Sequence, residues 1–345
     1  MSLNLFFNID QFGLALYGFK LDACPIQDLY QLSLDTLALF GCQAQLAGAN
    51  IGGKSSGRYR SFRSVDKKLR STNFASVTNW CCRSDPDELV GAEDVHHSGE
   101  LMTICYSNEP SSRRFILTIR EELVRDRMDL LLETAKKVCV LLGPIYGIGY
   151  RKKSSFIPDL FGMGMRGNGD FDPACDHLVY WSMLARHDVF CLLRDVFPWN
   201  FLTATLLDIK IENGRLEDWI LSNPNHGYLT SLTDQVTLWT IADVKLPLVR
   251  DKLKRAGVIF DRDRDFVSKM REYNVGDMEV LESIKTGKPL VHQPSSPGLS
   301  DSEMLAQILN TFGTPESTVL VKSDDGKLRP VKKKKGGDTN KKKGK

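Results

Sequence analysis

The sequence lacks the features that mark membrane-spanning and secreted proteins. No segment reaches the roughly 18 consecutive apolar residues that a membrane helix needs. The N-terminal segment MSLNLFFNIDQFG has no basic region before its apolar residues and reaches Asp10 early, which is not typical of a secretory signal. We therefore predict a cytoplasmic protein without a membrane partner.

Cysteine pairs with metal-binding or redox spacing are also missing. The eight cysteines are scattered along the chain, and none forms a C-x-x-C motif. This excludes a zinc knuckle and a thioredoxin-type redox motif. Their scatter predicts reduced thiols packed in the core of an intracellular protein.

The composition is that of a globular protein whose charge is unevenly distributed. Of 345 residues, 42% are apolar and 26% are charged, which excludes a mostly disordered or fibrous chain. The length predicts about two domains. The net charge of +3 divides into +8 for residues 322–345 and −5 for the rest of the chain. The basic character therefore comes from the tail and does not indicate a nucleic-acid-binding fold.

Alternating strand and helix patterns predict two similar units. In the second unit, a strand at 115–119 precedes a helix over 128–142, in which apolar residues recur three and four positions apart and which ends at Gly143-Pro144. A strand follows at 145–150. In the first unit, a strand at 12–19 precedes a helix between Pro25 and Gly41. Further strands are predicted at 42–47, 74–82 and 101–106, and a long loop at 48–72. The apolar run at 190–197 is also typical of a strand.

These patterns predict an α+β fold, with two tandem ferredoxin-like β-α-β-β units packed as a sandwich and a disordered basic C-terminal tail. The predicted divisions are a first unit at 1–110, a second unit at 111–260, a helical extension at 261–290, and a linker with a Lys-rich tail at 291–345.

Residues 48–55 match the P-loop pattern G-x-x-x-x-G-K-[ST]. In such a loop, backbone amides after a residue such as Gly53 surround the phosphates, Lys54 binds them, and Ser55 binds magnesium. A P-loop must lead directly into a helix whose N-terminus faces the phosphate. Here Ser56-Gly57 follows without an apolar helical face, and no Walker-B strand is evident. Phosphate binding by Gly53, Lys54 and Ser55 is therefore an alternative to an ordinary glycine-rich loop.

A second glycine-rich segment, at 162–167, matches G-x-G-x-x-G, but Pro158 precedes it and no helix follows, which excludes a dinucleotide site. We interpret residues 151–170 as a mobile loop that a partner approaches closely. Trp199 follows a proline that breaks a strand, which favours a ring at the surface. The candidate partner-binding residues are Arg151, Lys152, Arg166, Asp170 and Trp199.

No catalytic residue, metal site or cofactor is predicted. His96 and His97 are adjacent, so on a strand they would point to opposite faces. Asp176 and His177 would diverge by about 100° on a helix. No serine or cysteine lies in a recognisable nucleophile elbow.

Two segments resemble immunity proteins of the type VI secretion system. The first is LLGPIYGIG at 141–149, which follows an amphipathic helix. The second is RDVFPWNFLT at 194–203, where that family has an apolar residue, Asn-Trp and a Phe-Leu pair; here Trp precedes Asn. The predicted strand–helix–strand run at 238–260 also fits. The resemblance covers about residues 110–260 and implies a non-enzymatic protein that neutralises a toxin by binding it.

The sequence therefore favours a protein-binding module, and the resemblance implies an immunity protein whose partner is a toxin. The acidic body would complement a basic toxin. Two alternatives stay open. One is a nucleotide-binding enzyme that uses Gly48–Ser55, and the other is a nucleic-acid-associated protein whose residues 322–345 bind polyanions.

Overall fold

A large antiparallel sheet of eleven strands forms the centre of the fold. The computed structural model describes residues 9–19, 25–55, 59–85, 100–109, 113–154, 158–164, 181, 190–212, 214–261, 265, 320–322 and 328–330. The strands of the large sheet are β1 (Asp10–Tyr17), β2 (Leu46–Ile51), β3 (Lys54–Ser55), β4 (Arg60–Ser61), β5 (Val77–Ser84), β6 (Met102–Ser107), β7 (Arg114–Arg120), β8 (Tyr146–Lys153), β9 (Trp199–Leu202), β12 (Tyr228–Ser231) and β13 (Thr237–Thr240). Two separate strand pairs are β10 (Lys210–Ile211) with β11 (Gly214–Arg215), and β14 (Leu320–Lys322) with β15 (Leu328–Pro330).

Helices cover the sheet on both faces. They are α1 (Ile26–Leu39), α2 (Phe62–Ser71), α3 (Glu121–Val124), α4 (Met128–Leu142), α5 (Pro158–Gly162), α6 (Ala204–Leu207), α7 (Leu216–Leu221) and α8 (Leu246–Arg255), with short 3-10 turns at Pro224–His226 and Asp243–Lys245. No helix in the described part of the chain is long and apolar enough to cross a membrane.

The strand order brings together residues that are far apart in sequence. The order is β12-β13-β9-β8-β1-β7-β6-β5-β2-β3, and β4 also pairs with β2. Strand β1 lies between β7 and β8 and is antiparallel to both. Consequently β7 and β8 run parallel to each other, and their connection through α4 passes over one face of the sheet.

The two faces of the sheet build two separate apolar cores. The front face, which carries Phe12, Leu14 and Leu16 of β1, packs against α1, α2 and α4. The back face, which carries Ala15 and Tyr17, packs against α5 and the segments from α6 to α8. The alternation of side chains along β1 supplies both cores, so every second residue of this strand belongs to the same one.

Arg194 links the back face of the sheet to the end of α5 by hydrogen bonds. Its buried guanidinium donates from Nη2 to the Phe161 carbonyl at 2.6 Å and from Nη1 to the Tyr17 hydroxyl oxygen at 3.0 Å. The same group lies 4.4 Å from the centroid of the Phe161 ring and 5.3 Å from that of Trp181. In the same segment, buried Asn200 donates to the Phe197 carbonyl and accepts from the Phe197 amide, which closes a tight loop. These residues of RDVFPWNFLT therefore have structural roles.

The mixed helix and strand content and the main helices are confirmed. Helix α4 spans the predicted residues, and Gly143 ends it with a φ of 54°. Gly41 follows α1 with a φ of 73°, as its left-handed position requires. The tandem ferredoxin-like units are not confirmed, because strands from before and after residue 110 alternate in one sheet. The divisions at residues 110, 260 and 290 stay predictions.

Three local expectations differ from the structure. The predicted loop at 48–72 contains helix α2, whose Val65 and Leu69 are buried in the front core. Residues 190–197, whose apolar run is typical of a strand, form no strand and have one bridge, between Leu193 and Ile259. The segment predicted to be a disordered tail contains the pair β14–β15, and its other residues lie outside those described.

The prediction of uniformly reduced thiols is wrong for one pair. Cys81 on β5 and Cys105 on β6 are directly opposite each other in the register and form a disulfide. Cys42, Cys82 and Cys139 are free and buried. No sequence pattern indicated this disulfide, because the pairing depends on which two strands become neighbours.

Candidate functional site

The P-loop-like segment forms a β-hairpin. Strands β2 and β3 pair through Ile51 and Lys54, and Gly52 and Gly53 make a two-residue turn with φ values of 58° and 73°. Two successive positive φ values are typical of the type I′ turn that joins tight hairpins. The chain thus continues from the glycines into a strand, whereas a phosphate-binding P-loop continues into a helix. The geometry gives no support to nucleotide binding at Lys54 and Ser55.

Two of the predicted partner-binding residues lie together on the front face. The Arg151 guanidinium lies 5.8 Å from the centroid of the Phe12 ring. The Trp199 ring packs edge-on against the same phenylalanine, with 5.0 Å between ring centroids. Trp199 is half-buried rather than fully exposed. Phe12 therefore connects the two residues that were selected from the sequence.

Small residues in β8 make this arrangement sterically feasible. Trp199 lies opposite Gly149 in the register between β8 and β9. A Cβ atom on Gly149 would approach the Trp199 Cβ to 2.8 Å and the Phe12 Cζ to 3.0 Å, both too close for ordinary packing. The absence of a side chain at Gly149 thus leaves room for the edge-on pair of Phe12 and Trp199 beside this strand.

Ion pairs fix Arg151 at the rim of the sheet. Its Nη1 lies 2.7 Å from Asp243 Oδ2, and its Nε lies 3.2 Å from Glu121 Oε1. Directly after Asp243, Val244 is 84% exposed, and Leu248, one helical turn further along, is 61% exposed. We call Arg151, Trp199, Asp243, Val244 and Leu248 the rim surface. It combines a charged group, an aromatic ring and two exposed apolar side chains.

The other predicted partner-binding residues do not join the rim surface. Lys152 lies on the opposite face, because it is adjacent to Arg151 on a strand, and its Nζ is 4.5 Å from the centroid of the Phe161 ring. Arg166 and Asp170 lie outside the described residues, as do His96, His97, Asp176 and His177.

A second candidate site was missed by the sequence reasoning. It consists of buried polar side chains on the back face, at the end of the sheet where β5, β6, β7 and β1 meet α5. Thr118 on β7 is directly opposite Thr103 on β6, and Thr103 is directly opposite Arg83 on β5. On the same face of β1 lies Gln11, and Asp159 belongs to α5, which packs on β1, β7 and β8. Glu100 immediately precedes β6.

Five oxygens in this group have no hydrogen-bond partner although their side chains are at most 5% exposed. They are Gln11 Oε1, Glu100 Oε2, Thr103 Oγ1, Thr118 Oγ1 and Asp159 Oδ1, and we call these five residues the acceptor cluster. Buried polar atoms are nearly always paired, because an unpaired one costs about 1–3 kcal/mol. Other buried side-chain atoms of the described residues, such as Asn50 Oδ1 and Thr203 Oγ1, are also without a partner, but these five oxygens lie around one part of the back face.

Charged side chains of both signs surround the acceptor cluster. The Nε of Arg83 lies 2.5 Å from Asp85 Oδ1, and both side chains are buried. Glu100 and Asp159 add two further buried carboxyl groups. Burial raises the pKa of Glu100 to about 7, and although Arg83 lowers it, the negative charge of Asp159 raises it further. Arg120 and Lys152 are both opposite Gln11 in the register and so lie on the same face, and the Arg120 Nε donates to the Glu100 carbonyl. Cationic and carboxyl groups are therefore present around the cluster in similar number.

Among the described residues, no group of three or more His, Cys, Asp or Glu side chains is arranged to hold a metal ion. The acceptor cluster has mixed amide, hydroxyl and carboxyl oxygens instead. The only sequence signals for it were Thr103 and Thr118 at alternate positions of apolar strands and Glu100 next to one, and none of these is specific.

Comparisons with known proteins give one structural likeness to report. No protein-family model matches the chain, and no curated protein matches it. Among solved structures, the Pseudomonas aeruginosa T6SS protein PA0821 is similar, with 12% sequence identity, 73% of each chain covered and a TM-score of 0.48. At this TM-score and identity, the likeness assigns neither a family nor a function to the chain.

Proposed function

We propose that this protein is a non-enzymatic binding module that neutralises a toxin, and that the rim surface contacts this partner. The observation that carries the proposal is the pair of exposed apolar side chains, Val244 and Leu248, beside the ion pair of Arg151 and Asp243. Tryptophan and arginine residues with apolar neighbours are enriched among the residues that dominate protein–protein binding energies.

The rim surface is also pre-organised. Arg151 is held from two sides by carboxylates of different elements and packs over Phe12, so that little side-chain freedom remains to be lost on binding. Trp199 is fixed by its contact with the same ring. A rigid charged and aromatic centre with an apolar border is suited to a protein partner more than to a small ligand.

The toxin partner is an inference from the sequence. The resemblance of residues 141–149 and 194–203 to immunity proteins implies this class of partner, and the net charge of −5 outside residues 322–345 favours a basic one. Neither the nucleotide alternative nor the polyanion alternative gains an observation from the described residues.

A quantitative capture experiment tests the proposal. Immobilised wild-type protein is compared with Val244→Asp/Leu248→Asp and with a matched control, Val140→Asp/Leu221→Asp, which places the same two charges at similarly exposed apolar residues elsewhere. We expect one basic protein to be retained by the wild type and the control but not by the rim-surface variant. Expressed alone in bacteria, that protein should arrest growth, and co-expression of the wild type should relieve the arrest.

Two results would contradict the proposal at different levels. Equal retention by all three proteins would show that the rim surface is not the contact. Retention that depends on the rim surface, but of a protein that does not arrest growth, would leave a binding module whose partner is not a toxin.

A further inference from the structure

The two edges of the large sheet differ in length and charge. One edge is formed by β3 and β4, which are two residues long and carry the exposed cations Lys54 and Arg60. Short strands and charged side chains are devices by which soluble proteins keep a sheet edge from pairing with another chain. The other edge is β12, whose sequence Tyr-Leu-Thr-Ser has neither charge nor proline. Among the residues that the structure describes, β13 is the one strand that pairs with β12, which makes β12 the less protected edge.

Half of the backbone groups of β12 point away from β13. Directly after the strand, the Leu232 amide donates to the Val236 carbonyl at 3.0 Å. Along an antiparallel pair, residues that are hydrogen-bonded to the neighbour alternate with residues whose N–H and C=O groups point outward. Counted back from Leu232, Thr230 therefore faces β13, whereas the N–H and C=O groups of Leu229 and Ser231 point outward. An antiparallel neighbour can bond all four of these groups.

The surface around this edge is exposed and almost free of charged side chains. Residues 222–242 contain a single Asp, Glu, Lys or Arg, namely Asp234, whereas 26% of the whole chain is charged. Within that stretch Tyr228 is 67% exposed, and Thr230 and Ser231 are exposed as well. Depletion of charged residues and enrichment of tyrosine are typical of protein–protein interfaces. The composition therefore indicates that this edge meets another protein chain.

A second copy of this chain has the complementary geometry. Antiparallel pairing about a two-fold axis at Thr230 places Leu229 opposite the partner's Ser231, and the reverse, so that every outward N–H and C=O group of β12 gains a partner. The two Thr230 side chains then form a cross-strand pair, which is a stabilising combination. The two Asp234 side chains lie at opposite ends of the paired strands, so the single charge of the segment causes no repulsion.

We propose that this protein forms a two-fold symmetric dimer in which the β12 strands of two copies pair and join the two large sheets into one. Because four residues per strand make a small interface, we expect a dissociation constant on the order of 10 µM. The dimer does not depend on the proposed toxin binding, because it uses the outward backbone groups of β12, whereas the rim surface consists of side chains on β8, β9 and residues 243–248.

Sedimentation equilibrium of the full chain tests the proposal. Between about 2 µM and about 200 µM protein, the mass should rise from near the 38.8 kDa of one chain towards about 78 kDa. Ser231→Pro removes an outward N–H and keeps the bonds to β13, and it should raise the dissociation constant about tenfold or more. Thr230→Lys, which places two ammonium groups opposite each other, should do the same. Cooperative melting verifies that both variants fold.

Two control variants should dimerise like the wild type. Ser71→Lys adds the same charge at an exposed residue of α2. Val244→Asp/Leu248→Asp changes the rim surface alone, so its dimerisation separates this interface from toxin binding.

Oxidative crosslinking tests the register of the two strands. In the proposed pairing the Cα atoms of the two Thr230 residues lie about 4.5 Å apart, which is within the range of disulfides. Oxidised Thr230→Cys should therefore run as a covalent dimer in non-reducing electrophoresis, with the wild type as the blank. Tyr228→Cys, on the same face of the strand, lies about 14 Å from its symmetry mate and should not crosslink.

Three results would overturn the proposal. The first is a monomer at about 200 µM protein, which would leave the edge to a different chain. The second is a dimer that Ser231→Pro and Thr230→Lys do not weaken, which would place the contact on another surface. The third is equal crosslinking of Thr230→Cys and Tyr228→Cys, which is incompatible with a two-fold axis at residue 230.

Discussion

Replacement of Glu100 by glutamine should change how stability depends on pH. The carboxyl group is buried, and its pKa is raised from 4.5 to about 7. Between these values the folded protein keeps a proton that the unfolded chain has released. The free energy of unfolding must therefore fall as pH rises through this range, and the stability that the protonated carboxyl provides is fully present only below about pH 4.5.

The size of the stability change follows from the pKa shift of Glu100. One pKa unit corresponds to about 1.4 kcal/mol, so the change from 4.5 to about 7 is a loss of about 3 kcal/mol between pH about 4.5 and pH about 8. The glutamine in Glu100→Gln does not titrate, and the variant should lack this part of the slope. The unfolding free energy of the wild type minus that of Glu100→Gln should therefore decrease by about 3 kcal/mol across this range.

Urea unfolding at four pH values between about 5 and about 8 measures this difference. Other titrating groups act equally in both proteins and cancel in the subtraction. Glu122→Gln serves as the control, because its exposed carboxyl should change the slope little. A wild-type-minus-variant difference that stays constant within about 0.5 kcal/mol, or that increases with pH, would refute the reasoning about the buried carboxyl.

Three further predictions concern packing and the disulfide. Arg194→Met should lower the unfolding free energy by about 3 kcal/mol in urea melts, because the buried Phe161 carbonyl loses its donor. Arg250→Met, at a more exposed arginine, should cost about 1 kcal/mol or less. Equal losses in the two variants would contradict a stabilising role for the Arg194 hydrogen bonds. Gly149→Ala should lower the unfolding free energy by about 1–3 kcal/mol because its Cβ collides with Trp199, whereas Gly214→Ala, whose Cβ would meet nothing closer than 4.0 Å, should be close to neutral. Similar calorimetric melting temperatures for the two variants would be inconsistent with tight packing at Gly149. Reduction of the disulfide between Cys81 and Cys105, which are 24 positions apart in the sequence, should lower the unfolding free energy by about 3 kcal/mol. An unchanged melting temperature in dithiothreitol, with the free thiols verified by mass spectrometry, would contradict a stabilising crosslink.

Helix α2 is an element that the composition of its segment predicted wrongly. Val65 and Leu69, with Phe62 before them, have helical spacing, but the Gly-, Ser- and Arg-rich composition of 48–72 pointed to a loop. The periodicity was the better guide, because a helix needs only one apolar stripe to bury. In the opposite case, the apolar run at 190–197 is largely buried without forming a strand, since side chains satisfy backbone groups there. The Tyr146 hydroxyl accepts from the Arg194 amide, Arg250 donates to the Val196 carbonyl, and Asn200 bonds both backbone groups of Phe197.

The two candidate sites also differ in how far the sequence indicated them. Arg151 and Trp199 were chosen from the sequence as surface residues next to loops, and they share a contact with Phe12 that no local pattern indicated. The acceptor cluster could not be predicted, because its residues come from four elements and each is ordinary in its own segment. Its unpaired oxygens become apparent only when burial and partners are known.

The sequence alone determined the helices α1 and α4, their glycine ends, most strands of the central sheet and the division of charge between body and tail, since these depend on spacing and composition within short segments. Only the tertiary structure decided that β1 lies between β7 and β8, that Cys81 meets Cys105, and that buried carboxyl groups gather on the back face. The physical reason is that strand pairing is set by burial on both faces of the sheet at once, and this balance is a property of the whole chain rather than of any segment.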